Sequence, residues 1–389
     1  MKGKELVQYR VSLFEDAVRT GRTPKRVPVY DNVYNWKVYS AGYKLSEALN
    51  NPSVMHKVVE EYCKVYQPDA LADAGARNPL YFTSIFSDSQ FYEIDDEGYR
   101  MNYRDNAFMT ADDYDALIKD PKAFIWSTLL PRKWKNLQSK NNGKYYAKGV
   151  DAFLTFGQAA GKAAKAMEKY GIPQAANVMD MIPFQSGFEY IFDGMRGIKG
   201  ISMDMRRNKE KLLEACHAIE AFFRSSAPLN TTPGHNSNCA FDLFLPMLAH
   251  TILSEKQFEL YMWPKLKELG DYLVQYDKTC LLFVEGHSER FYDFFNQLPN
   301  GHFAIYTEEN DIFEMKKALN GKCIVGGMPV SLLGNGTPGE CVDYAKKLVQ
   351  ELGYDGNYIF SQDKMISFPN DARKENMIAV SKYLQEGQY

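Results

Sequence analysis

The sequence predicts an α/β fold, an eight-stranded (β/α)8 TIM barrel, on three observations. Strand-like and helix-like segments alternate from Arg207 onward in units of about 20–40 residues, the rhythm of a parallel sheet with crossover helices. Hydrophobic residues make up 45% of the 389 positions, enough for a large core, yet no apolar run is long enough to span a membrane. Acidic and imidazole side chains recur just after the strand-like runs, where barrels carry their chemistry. Length alone permits two domains. No low-complexity linker divides the chain, so one barrel domain over residues 1–389 is expected.

Taken in order, Lys4–Thr20 is amphipathic, with Leu6, Val7, Val11, Leu13 and Phe14 near helical spacing, and forms an N-terminal helical extension. Arg26–Tyr30 is the first candidate strand. Asn51-Pro52 supplies an N-cap with proline at the first helical position and opens a helix to Tyr66. Pro68–Ala76 is the second strand, with Asp73 near its end. Residues 82–149 break the rhythm: Gln90–Asn102 reads as a hairpin around Asp96-Glu97-Gly98, inside an excursion over the barrel. Phe153–Tyr170 is a small-residue helix in which Gly157 and Gly161 permit close packing, while Lys162 and Lys165 argue against a membrane role. A third strand is placed near Val178–Ile182. Ser254–Gln257 is a capping box opening a helix kinked at Pro264. Strands at Cys280–Glu285, Phe303–Thr307, Cys323–Gly326 and Asn357–Ser361 each precede a helix, which brings the total near eight.

Composition narrows the partners. A net charge of -3 with interleaved signs leaves no footprint for a nucleic acid or a membrane surface, so small-molecule chemistry is expected. The first thirty residues are too charged for a signal peptide. Six cysteines without a C-x-x-C pair read as reduced thiols, and a cytoplasmic location follows as an expectation.

The strand-end residues are Asp73, His235, Glu285, His287, Glu308, Glu309, Asp311 and Asp363. Glu285 closes an apolar run, and a carboxylate desolvated on one side needs a metal, a cation or a proton. With Glu308 and His287 it could hold Zn²⁺ with an open position. The alternatives are a helix cap or a pair with Arg290 for Glu285, and a surface position for His287. His235 and Cys239 form a weaker H-x₃-C pattern, and Asp73 is equally readable as a turn acid. Glu285, His235 and Asp73 are the candidate catalytic residues. Gly334–Gly339 matches G-x-G-x-x-G but lies away from a strand and is better read as a capping box, Thr337–Glu340. G-x-S-x-G, Walker A, H-E-x-x-H and D-x-H-x-x-G are all absent.

Several residues together carry a family resemblance: Trp263-Pro264, Glu285-Gly286, Ile324–Pro329, Leu332-Leu333, Gly336–Pro338, Asn357–Ser361 and Glu375-Asn376. In this order they resemble the uroporphyrinogen decarboxylase superfamily, continuously from about Ser254 and more weakly over Arg26–Ala74. The decarboxylases of that group carry an arginine- and glycine-rich segment near the start. Here Val27–Tyr43 is aromatic and lacks arginine. The H-x-C of the zinc enzymes acting on coenzyme M reads Phe283-Val284-Glu285, and their late cysteine falls near Asp363-Lys364. What remains is similar to the substrate-side methyltransferases of anaerobic O-demethylation systems.

That resemblance implies transfer of a methyl group from a small methylated substrate, an aryl methyl ether being favoured, to the cobalt of a corrinoid held by a partner protein. It also implies acid assistance to the leaving oxygen, from Zn²⁺ or from a carboxylic acid. Tyr30, Tyr34 and Trp36 are the candidate substrate-binding residues, placed to stack on an arene or, alternatively, to pack under the N-terminal helix. The runner-up is a decarboxylase or other lyase of the same fold acting on a tetrapyrrole or another carboxylated substrate. A non-catalytic binding module is the third reading.

Overall fold

The computed structural model describes residues 3–73, 84–86, 92–94, 101–103 and 107–386. Nine strands occur among them. β1 (Tyr30–Asp31) and β2 (Ala70–Leu71) pair in parallel, and β3 (Tyr92–Ile94) and β4 (Met101–Tyr103) pair antiparallel, the expected turn at Asp96-Glu97-Gly98 lying outside the described residues. β5 (Leu243–Met247), β6 (Cys280–Val284), β7 (Phe303–Thr307), β8 (Cys323–Met328) and β9 (Tyr358–Gln362) make a five-stranded parallel sheet in chain order. Single parallel bridges carry the pairing further, from Val29 to Phe360, from Leu71 to Gln174 and from Gln174 to Cys239. No closed barrel of hydrogen-bonded strands forms among the described residues.

Side chains alternate across a strand, so one set of residues points to each face. The described core divides accordingly. One buried cluster takes Tyr30, Ala70, Phe241, Phe283, Tyr306 and Val325, contributed by successive strands or the segments leading into them. The larger cluster takes the intervening residues, among them Leu282, Val284, Ile305 and Ile324, with the apolar faces of the helices. Phe14, Ala17 and Val18 of the helix Lys4–Val18 belong to the first cluster, and Phe14 meets Phe241 edge-on at 5.5 Å. The N-terminal helix therefore packs into the interior from the side of the strands' amino ends. Arg10 and Arg26 both grip Asp69, just before β2, at 3.1 and 2.5 Å.

Several sequence expectations hold. The capping boxes Ser254/Gln257 and Thr337/Glu340 are formed, and Asn51 caps its helix by accepting from Ser53 N. The expected kink at Pro264 is a break, with Met262 separating the helices Glu255–Tyr261 and Trp263–Gln275. Other expectations need correction. Val178–Phe184 is a 3₁₀ helix, and the third parallel contact falls earlier, at Gln174. The small-residue helix begins ten residues before its expected start and spans Gly143–Lys169. β5 was not expected, because Pro246 sits inside it. Proline survives there because β5 ends the ladder and needs no second neighbour for its missing N–H. In β8, Gly326 has φ +118°, and a Cβ there would stand 3.3 Å from the Tyr306 ring.

Candidate functional site

Because the N-terminal helix packs at the amino ends, the side chains left for chemistry lie where the strands finish. β6 runs into Glu285, β7 into Glu308 and β9 into Asp363. Each carries the ladder one residue further through its backbone N–H, to Met247 O, Val284 O and Met328 O respectively. All three are half-buried. Glu308 Oε2 accepts from Gly286 N at 3.3 Å, which ties it to the Glu285 turn, and Gly286 there takes φ +68°. Asp363 Oδ1 accepts from Val330 N at 3.0 Å.

Burial pushes both Glu308 and Asp363 upward, and neighbouring carboxylates add to it: Glu309 and Asp363 for Glu308. Backbone donors oppose the shift without cancelling it. A carboxyl group in this condition holds its proton to higher pH than usual and serves as a proton donor.

Two further groups complete this end of the sheet. Glu189, on the helix Gly187–Ile191, is buried and accepts from Leu248 N and Ala249 N at 3.0 Å. Burial raises it to about 8 despite those bonds, with Asp193 and Glu285 contributing charge repulsion. The turn that Glu189 grips presents His250, which is fully buried. Neither ring nitrogen of His250 makes a hydrogen bond among the described residues, although the Glu285 backbone lies close enough to favour its charged form. Burial and the nearby Arg290 outweigh this and lower His250 to about 4, so the ring is neutral.

A polar seam crosses the interior beneath these groups. Gln362 donates to Asp31 Oδ1 at 3.0 Å and accepts from Asn32 N at 2.8 Å. Asn32 Nδ2 donates to the Tyr306 hydroxyl, which donates on to Gln362 O at 2.5 Å. These bonds join β1, β7 and β9 where the strand pairing itself is sparse.

The structure separates the residues that the sequence suggests. Glu285 and Glu308 come together. Asp73 lies in a second group at the ends of β1 and β2, bonded at 2.9 Å to Lys37. Lys37 is buried and also donates to Val33 O and Tyr34 O; burial lowers it while Asp73 opposes the shift. His235 sits at the opposite end of the sheet. Its Nδ1 is 2.8 Å from Asp242 and its Nε2 3.0 Å from Cys239 O, so it pins the loop that leads into β5.

Tyr30 is buried in the inner cluster against Phe241 and Tyr306. Trp36 packs on Tyr66 and donates to Ala372 O at 2.9 Å. Of the three aromatic candidates, only Tyr34 keeps a partly exposed ring, 6.0 Å from Lys37 Nζ. His287 is exposed and faces Glu289 at 3.5 Å and Glu309 at 3.6 Å. No three His, Cys, Asp or Glu side chains gather as metal ligands among the described residues, so a zinc held by Glu285, His287 and Glu308 does not fit this arrangement.

Glu189, His250 and Lys37 were not read from the sequence. Ser186-x-x-Glu189 has the spacing of a capping box, and Ser186 does cap, but the glutamate side chain reaches across to the β5 turn. His250 is three residues past the end of β5, a signal available only once β5 is seen.

The family model described as uroporphyrinogen decarboxylase (URO-D) matches residues 186–382, just over half of the chain and the whole of this strand-end group apart from the β1–β2 side. A solved structure of a methyltransferase from Methanosarcina mazei superposes with a TM-score of 0.60 at 11% sequence identity, over 98% of each chain. That likeness is one of fold. No curated protein matches the chain in sequence. No helix among the described residues is long and apolar enough to cross a membrane.

Proposed function

The chain belongs to the uroporphyrinogen decarboxylase family, whose fold is a TIM barrel, and we propose that within it this protein is a methyl-transferring enzyme. We read the bridges at Val29, Leu71, Gln174 and Cys239 as the sparsely paired staves that complete an eight-stranded ring around the inner cluster. The proposed substrate is a small methylated compound, an aryl methyl ether being favoured, and the proposed acceptor is a corrinoid on a partner protein. The corrinoid supplies the Co(I) nucleophile when docked. Half-buried acids at the loop ends of the strands are reachable by such a partner, and the chain has no D-x-H-x-x-G of its own with which to hold the cofactor.

One observation carries the reading: Glu308 and Asp363, at the ends of β7 and β9, are pushed toward their protonated form by burial, at the same end of the sheet as the neutral His250. Breaking the bond between methyl carbon and oxygen leaves a phenolate, whose conjugate acid has a pKa of about 10. A proton delivered from Glu308 or Glu285 to that oxygen as the bond breaks makes it a better leaving group. Water returns the proton to the carboxylate after product release. Buried Glu189 holds the β5 turn, and with it His250, in place.

The test is turnover of methoxylated aromatics with a reduced corrinoid protein. Glu285→Gln and Glu308→Gln are each expected to lower the transfer rate by about 10²–10⁴ with the melting temperature held within a few degrees. Elemental analysis belongs in the same experiment. About one zinc per chain, lost in Glu285→Gln, would replace the proton donor with a Lewis acid.

The family match itself favours a second reading, a decarboxylase or other lyase, which predicts turnover of a carboxylated substrate with no corrinoid protein present.

A further inference from the structure

The five strands of the parallel sheet are not buried alike. In β6, β7, β8 and β9 every residue is buried, on both faces. In β5 burial alternates. Leu243, Leu245 and Met247 are buried in the larger cluster, whereas Phe244 and Pro246, on the inward face, are half-buried. The inner cluster repeats this pattern. Its half-buried members are Ala72, Ala175, Ala176 and Phe244, from just past β2, from the segment after Gln174 and from β5.

The one-sided exposure follows from the pairing. The bond from Phe241 N to Ala175 O at 2.9 Å is the last backbone tie between β5 and the Gln174 segment among the described residues. Past it the chain runs beside β5 as the 3₁₀ helix Val178–Phe184, without pairing. Three alanines on this side present only methyl groups where β6 and β7 present Phe283 and Tyr306. Below them Phe14 against Phe241 closes the amino end, so the space opens toward the carboxyl ends of the strands.

The wall so formed carries neither a charge nor a hydrogen-bonding side chain. Phe244 stacks on Phe283 with ring centroids 6.0 Å apart and planes 27° apart, and Phe283 meets Tyr306 edge-on at 4.9 Å. Alternation along the strands sets Glu285 above Phe283 and Glu308 above Tyr306. The opening therefore has two unlike sides, aromatic toward β2 and β5 and acidic toward β6 and β7. We propose that the β5 side binds the ring of the substrate: an uncharged arene lies against Phe244 and Pro246, in the width left by Ala72, Ala175 and Ala176, with its ether oxygen turned toward the acids. The methyl-transfer reading supplies the ether; the wall and the acids supply the rest. A carboxylated arene is disfavoured there, because the wall offers it no cation and the acids repel it. Ring binding thus passes to Phe244 from Tyr30 and Trp36, both of which are buried.

Binding of methoxybenzene and of 4-methoxybenzoate to the full chain at pH 7, measured by calorimetry without any corrinoid protein, is the test. Methoxybenzene should bind, and 4-methoxybenzoate at least about tenfold more weakly. Phe244→Ala should weaken methoxybenzene about tenfold. Ala175→Leu, a half-buried position where the added bulk fills the slot, should abolish its binding while the melting temperature is kept. A measurement on the native chain needs no variant to fold: with hydrogen retained only at phenylalanine, magnetic saturation should pass from the protein to the methoxybenzene ring. Failure of methoxybenzene to bind, tighter binding of the benzoate, absence of that transfer, or binding that ignores both folded variants overturns the inference. The reaction is judged separately. Binding that follows the variants without methyl transfer to a reduced corrinoid protein keeps the site and overturns the reading of the chemistry; transfer whose KM ignores both variants does the reverse.

Discussion

At the amino ends of the strands His235 has both ring nitrogens occupied, by Asp242 and by Cys239 O, whereas at the carboxyl ends the fully buried His250 has neither occupied among the described residues. The carboxyl groups follow the same division. Burial alone would raise Asp242, but bonds from His235, Thr279 and Asn236 outweigh it and bring the group below its ordinary range. Asp69, also at the amino end, receives two arginines and the Val29 N–H. Glu189, Glu308 and Asp363 accept from backbone N–H donors, and burial wins. Residue types are the same at both ends; the number and charge of their donors differ. Groups that are fully paired contribute to stability, and groups held away from their ordinary ionisation are the ones able to exchange protons with a substrate.

The largest expected effect strikes the paired end. Asp242→Ala strands the His235 ring and the N–H groups of Asn236 and Thr279, and should cost about 3–5 kcal/mol in urea unfolding while activity per folded molecule is kept. Loss of activity without loss of stability would reverse the roles assigned to the two ends.

The next largest effect is a pH dependence of opposite signs at the other end. His250 is lowered from 6.5 to about 4, so its contribution is complete above pH 6.5 and is lost as pH falls toward 4, by roughly 3 kcal/mol at about 1.4 kcal/mol per pKa unit. Glu189 is raised from 4.5 to about 8, so stability declines as pH climbs through that interval. Unfolding free energies measured from pH 4 to pH 9 should therefore lose their acid limb in His250→Gln and part of their alkaline limb in Glu189→Gln. Curves unchanged by both substitutions would mean that these groups ionise as they do in water.

The smallest effect belongs to His287→Gln. Its exposed ring faces two exposed glutamates at 3.5 and 3.6 Å, and the change should stay within about 0.5 kcal/mol by thermal melting. A larger change would mark a closer engagement of His287 with the strand-end acids.

The sequence made one end of the sheet more legible than the other. Strands β6 to β9 are apolar runs closed by turn residues, so the sequence alone places Glu285, Glu308 and Asp363 at strand ends. β1 and β2 are two residues each and leave little periodic signal. Pro246 masked β5, and with it the meaning of His250. His235 looked like a ligand because its neighbours in sequence are polar; only folding shows that Asp242, seven residues on, holds it at the amino end. The aromatic segment behaved similarly. The sequence suggests ring chemistry for Trp36 and Tyr30, but their burial is decided by Ala372, Phe241 and Tyr306, all more than two hundred residues away.

The bond between Asn32 N and Gln362 joins residues 330 positions apart. During synthesis the apolar opening Val27–Tyr30 has β2 beside it early, but its other neighbour, β9, emerges last. At about 5–20 residues per second that wait lasts roughly fifteen seconds to a minute. Throughout it the inner faces of Phe14 and Tyr30 have only part of their packing, so the newborn chain holds apolar surface open until its last strand arrives.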